Sequence, residues 1–166
     1  MIKGFITNLG KYNEGELVGK WIDFPIEDED LEAVFAQIGI NDDYEEFFFT
    51  DWETEIDLEL GEYENIQDIN ELAEQLEEID RQGEIEKLEA IMEANGDNVY
   101  DAIAQMDDAV FYPGYSIVEV AEELINDCYG FRNVDEIFFR YFDYEAFARD
   151  LVFDGYSETS QGVIYC

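Results

Sequence analysis

The chain has 166 residues and carries 44 acidic against only 8 basic side chains, a formal net charge of −36. Hydrophobic residues make up 47% and aromatics 16%, more than a disordered acidic tail carries, so the chain folds around a real core. Histidine is absent, which excludes Ser-His-Asp triads and histidine-based metal sites. A surface this acidic is repelled by nucleic acid and by anionic membranes.

Taken in order, residues 1–61 read as an α+β module. Residues 4–8 alternate like a strand, residues 9–16 carry turn chemistry, and residues 17–24 form a second strand that Pro25 ends. Asp28 or Asp30 caps a short helix that turns Leu31, Val34, Phe35 and Ile38 inward and stops at Gly39. Residues 44–55, with Phe47, Phe48, Phe49 and Trp52, suit a third strand. These strands imply an N-terminal antiparallel sheet with one helix.

Around Gly61 the hydrophobic period changes from two to 3.6. Ile66, Ile69, Leu72, Ala73 and Leu76 mark one helix. Ile85, Leu88, Ile91 and Met92 mark a second, and Val99, Ala102, Ile103 and Met106 a third. Residues 62–107 are therefore expected to be a central all-helical module with acidic outer faces.

Residues 108–166 return to α+β. Residues 109–112 read as a strand broken by Pro113 and Gly114, and Ser116 with Glu119 matches a capping box. That helix buries Val120, Ala121, Leu124 and Cys128 and ends at Gly130. Residues 134–142 and 144–153 follow as helices, and residues 155–166 as one closing strand with Val163, Ile164 and Tyr165. The fold class is thus α+β, an elongated chain of three small modules.

Site chemistry of the usual kinds is missing. Cys128 and Cys166 are the only cysteines and have no partner for zinc binding or thiol catalysis. Gly15 to Trp21 has the outline of a P-loop but is one residue short, and Trp21 stands where a Ser or Thr would hold magnesium. The acidic runs around Asp28 and Asp42 lack the central glycine of a calcium loop. No catalytic residue, cofactor site or metal site is assigned. The competing reading from another class is an acidic, calcium-binding structural or interaction protein.

What remains is the acidic surface itself. Glu71, Glu74 and Glu78 share one helical face, as do Glu86, Glu89 and Glu93; Asp107, Asp108, Glu122 and Glu123 extend the set. Solvated faces normally mix signs, and these do not. Duplex DNA carries one charge per about 1.7 Å of axis, so a net charge of −36 matches roughly 18 base pairs. General solubility and salt adaptation are the plainer explanations. Salt adaptation is the weaker of the two, because glutamate outnumbers aspartate and large aromatics abound.

The string Arg140-Tyr141-Phe142-Asp143-Tyr144-Glu145-Ala146-Phe147-Ala148-Arg149-Asp150-Leu151 resembles the C-terminal signature of the ArdA antirestriction proteins. The opening Ile2-Lys3-Gly4-Phe5-Ile6-Thr7-Asn8-Leu9-Gly10, the length and the acidity are similar to that family as well. The resemblance implies a non-enzymatic imitation of B-form DNA, carried on mobile elements; two distant cysteines, an opening without a secretory signal and apolar runs of only a few residues make a cytoplasmic location the expectation. Its partner would be a Type I restriction-modification enzyme, at the methyltransferase core with its DNA-specificity subunit. It would bind neither nucleic acid nor membrane.

The resemblance also places an antirestriction segment at about residues 126–140. From the residues themselves, Tyr129, Phe131, Phe138, Phe139, Arg140 and Tyr141 suit a core or a homodimer interface better than contact with a basic groove.

Overall fold

A computed structural model describes residues 2–96, 98–128 and 135–166. The chain divides into two compact units, residues 1–83 and residues 84–166. Both are α+β, and each has its own three-stranded antiparallel sheet.

In the first unit, β1 (Ile2–Asn8) lies between β2 (Gly19–Phe24) and β3 (Phe47–Thr54). Side chains alternate across a strand, so Ile2, Ile6, Ile22 and Phe24 enter the core while Lys3, Phe5, Trp21 and Asp23 occupy the other face. Gly4 makes room for rings on the core side, where Phe49 and Trp52 lie 4.3 Å apart between centroids. A register shift between Phe5 and Ile6 accommodates β3.

The turn expected over residues 9–16 instead opens as a short helix, α1 (Leu9–Asn13), because Asn8 caps it: its Oδ1 accepts from the Lys11 N–H at 3.0 Å. The Asn8 amide also donates to Ile38 O and Gly39 O, at 3.1 and 3.2 Å, so one buried side chain ties three segments together. Helix α2 (Asp28–Ile38) buries Val34 and Ile38 and ends at Gly39 in a left-handed conformation. Neither Asp28 nor Asp30 caps it. Glu27 holds that position without a side-chain bond, and both aspartates sit in the first turn, where the helix dipole favours them.

Helix α3 (Ile66–Gln82) buries Ile69, Leu72, Ala73, Leu76 and Ile79 in one stripe. Asn70 pins it to the end of β2: its Oδ1 accepts from Ile26 N at 2.8 Å and its amide donates to Ile26 O at 2.9 Å. The three helices read as one central group divide here between the units. α3 packs with β2, whereas α4 (Ile85–Asn95) and α5 (Val99–Gln105) pack together in the second unit.

The second sheet runs β4 (Val110–Pro113), β6 (Gly162–Tyr165), β5 (Tyr156–Thr159). The single closing strand expected over residues 155–166 is a hairpin, turned at Ser160 and Gln161. Gly162 permits it: a Cβ there would meet Tyr112 O at 2.3 Å. Val163 and Ile164 point to opposite faces and are both fully buried, so the central strand is covered on both sides. Val163 joins Val120, Ala121, Leu124, Ala148 and Leu151 in one cluster, while α4 also packs on β6.

Apart from Val163 and Leu124, that cluster comes from α6 (Ile117–Glu123) and α8 (Tyr144–Phe153). Ser116 and Glu119 form the expected capping box, and a π-helical turn, Leu124–Cys128, continues α6. The helix expected over residues 134–142 is only α7 (Glu136–Phe139), which Asp135 caps; residue 134 lies outside the described residues. Gly130 and the Cys128 side chain do so as well.

Candidate partner-binding surface

Eight cations cannot neutralise 44 carboxylates, so what matters is which acids the fold consumes and which it leaves free. On α3, the buried stripe forces Glu71 and Glu74 to the opposite, exposed side, and among the described residues neither forms an ion pair. Glu78 shares that side but is consumed: Arg81 pairs with it, and Gln82 donates to it at 2.7 Å. Its charge is locally cancelled.

On α4 the same division appears. Glu86 is exposed and, among the described residues, forms no ion pair. Glu89 is half-buried and accepts from Gln161 Nε2 at 3.0 Å. Glu93 accepts from the Ser160 N–H at 2.9 Å and its hydroxyl at 2.7 Å, which holds its carboxyl below the usual carboxylate range. These two acids clip the β5–β6 turn onto α4. Sequence spacing places them correctly on one face but carries no sign of the hairpin that faces them.

Asp107 and Asp108 are exposed in the turn after α5, and Glu122 is exposed on α6. Glu123 is half-buried, and its carboxylate takes a bond from the Tyr115 hydroxyl, raising that phenol's pKa. In the first unit Glu14 is likewise engaged. It accepts from Tyr44 Oη at 3.0 Å and from Lys11 Nζ at 3.2 Å, and both bonds lower its pKa, Tyr44 foremost. Lys11 also lies 4.4 Å over the Tyr44 ring.

Further exposed carboxylates in the first unit form a set that spacing alone did not single out. Asp51 and Glu53 stand on the outer face of β3, level with Phe5 and Lys3. Asp42, Asp43, Glu45 and Glu46 occupy the exposed loop before β3. The signal was present as runs of acids, weighed only against the calcium-loop pattern. Among the described residues no group of three or more His, Cys, Asp or Glu is placed to hold a metal ion. Nor does any described helix have the length and apolarity to cross a membrane.

The aromatic segment behaves differently. Phe138 is 65% and Tyr141 84% exposed, Arg140 is exposed, and Phe139 is half-buried. Tyr129 and Phe131 lie outside the described residues. On α8 the signature string buries Ala148 and Leu151, and Asp143 Oδ1 caps the helix by accepting from Ala146 N at 2.9 Å. That part of the signature is core.

The family model described as antirestriction protein (ArdA) matches residues 4–165. The chain belongs to the ArdA antirestriction family. The match spans both units, from the central strand of the first sheet to the last residue of β6. No curated protein matches the chain. Membership makes this an antirestriction protein, one of a family of inhibitors of restriction.

Proposed function

We propose that this ArdA protein blocks restriction by presenting a B-DNA-like array of carboxylates to a Type I restriction-modification enzyme. It would occupy the DNA groove of the methyltransferase core and its DNA-specificity subunit. The observation that carries the reading is the excess of exposed carboxylates without cationic partners among the described residues of both units, Glu71, Glu74, Glu86, Asp107, Asp108 and Glu122 among them. Their exposure keeps them hydrated until a Lys- or Arg-lined groove replaces the water, and their summed field accelerates encounter.

Glu78, Glu89, Glu93 and Glu123 have internal partners and serve the fold first. The free acids are therefore the better phosphate substitutes. The mechanism needs no catalytic group and no cofactor, acts in the cytoplasm, and blocks modification as well as restriction where both use the same groove. The test is displacement of fluorescent cognate duplex from the methyltransferase core at low salt. Displacement that weakens as salt rises is expected. Failure of the purified protein to displace the duplex refutes the reading.

A second proposal concerns self-association. The exposure of Phe138 and Tyr141 favours a homodimer seam over a free surface, since large apolar groups in water favour burial against a partner. Phe138→Asp should shift the protein from dimer to monomer in sedimentation equilibrium. A wild-type protein already monomeric at high micromolar concentration refutes it.

A further inference from the structure

We propose that the outer face of the first sheet, around Phe5 and Trp21, receives an arginine side chain of the basic partner surface. This rests on the charge-mimicry reading for the identity of the partner and names one subsite within it. The register builds the face. Phe5 stands in the central strand β1, with Trp21 opposite it on β2 and Asp51 opposite it on β3. In the neighbouring row Lys3 stands between Asp23 and Glu53. Residues two apart on a strand share a face, so both rows lie on the side away from Ile22, Phe24 and Phe49.

Charge selects the occupant. Bare backbone at Gly19 makes room for the Phe5 ring, since a Cβ there would lie 2.6 Å from Phe5 Cε1. Phe5 and Trp21 then meet edge to face at 5.4 Å, and Trp21 remains 39% exposed beside the exposed Asp51, Glu53 and Asp23. The one cation of the face, Lys3, is committed to Asp23 at 3.3 Å. Asp51 and Glu53 form no ion pair among the described residues. A second copy seated here would set the same carboxylates against each other, because a two-fold interface repeats one patch. Nucleic acid is repelled by the same charge. A cationic protein surface is what complements it.

The aromatic pair narrows the cation to a guanidinium. That group is weakly hydrated, stacks on rings, and offers several N–H donors at fixed angles, so it can lie against Trp21 and bond the carboxylates beside Phe5. An ammonium is a compact, strongly hydrated charge and gains less from the rings. Tryptophan exposed among charges also fits an interface anchor, since tryptophan and arginine dominate binding energy where proteins meet. The chain carries a smaller internal version of the arrangement, with Lys11 over the Tyr44 ring and bonded to Glu14.

The experiment titrates the full-length protein with N-acetyl-arginine amide and follows the Trp21 indole N–H and the Phe5 backbone N–H by NMR. Saturable shifts are expected at both, with tighter binding than N-acetyl-lysine amide shows. The double variant Asp51→Asn/Glu53→Gln should weaken binding about fivefold or more, equivalent to about 1 kcal/mol. Trp21→Leu, read at Phe5, should remove the preference for arginine over lysine. Glu71→Gln/Glu74→Gln, which removes the same charge from α3, should leave binding unchanged. No response at Trp21, equal affinity for the lysine amide, or equal weakening by both double variants overturns the proposal. A Trp21 shift that follows protein concentration without ligand assigns the face to a second copy and overturns it too.

The two readings separate in the displacement assay. If the wild type displaces the duplex and the Asp51→Asn/Glu53→Gln variant does so equally well, the sheet-face proposal fails while mimicry stands. If the wild type does not displace it, mimicry fails, and a Trp21 response that depends on Asp51 and Glu53 still establishes the face as an arginine receptor.

Discussion

Gly4 offers the most demanding test of the packing. It sits in the central strand, and a Cβ added there would lie 2.8 Å from Phe49 Cδ1 and 2.8 Å from Trp52 Cζ3. Ordinary contact begins at 3.4 Å, so both rings would have to retreat by about 0.6 Å. Neither has room. Phe49 is 1% exposed and is bounded by Phe24 and Phe47, with centroids at 6.1 and 6.3 Å. Trp52 is held by its indole N–H, which donates to Gly61 O at 3.0 Å.

Overpacking of this kind costs about 1–3 kcal/mol, and a unit of this size loses about 4–8 °C of melting temperature per kcal/mol. Gly4→Ala should therefore melt at least about 4 °C lower. Both tryptophans lie in the first unit, so their fluorescence in thermal or urea unfolding reports that unit alone. Phe49→Leu should relieve part of the clash, making the double variant more stable than the sum of the two single effects by about 0.5 kcal/mol or more. A Gly4→Ala protein with a wild-type midpoint, or strict additivity with Phe49→Leu, would refute the account of the ring pair.

Three further outcomes are expected. With a net charge of −36, screening relieves self-repulsion, so the melting midpoint should rise between about 0.01 and 0.1 M sodium chloride; a fall contradicts this. Glu93 has a folded pKa below its usual value because it accepts two Ser160 bonds, so its contribution is present above the unfolded carboxylate pKa and fades as pH drops through the depressed one. The Ser160 amide should thus lose exchange protection in that acidic window, whereas in Glu93→Gln its protection should not vary with pH there. Ser116→Ala removes the α6 cap and should cost the second unit about 0.5–2 kcal/mol, read by helical circular dichroism on heating, and an unchanged midpoint counts against the cap.

Much of the architecture was legible residue by residue. The 3.6 period at Ile69, Leu72, Ala73 and Leu76 located the buried stripe of α3, and its complement placed Glu71 and Glu74 in water. Ser116 and Glu119 announced the start of α6, and the terminal string named the family. These features succeed because caps and periodicity act within one or two helical turns. The closing hairpin was missed because its turn, Ser160-Gln161, lacks the usual Asn-Gly or Asp-Gly signal. The α1 helix was missed because Asn8 looked like the end of a strand rather than a cap.

The sequence by itself determined that the chain folds, that its surface is overwhelmingly anionic, and to which family it belongs. It also set which side of each helix is wet, since burial follows from periodicity alone. Only the tertiary structure decided which acids remain free. Glu78, Glu89 and Glu93 share helical faces with Glu71, Glu74 and Glu86, yet Arg81, Gln82, Ser160 and Gln161 engage the first three. The partners of Glu89 and Glu93 lie some seventy residues away in the chain, at sequence separations of 72 and 67. A helical wheel specifies the direction in which a side chain points; only the folded chain supplies what it meets there.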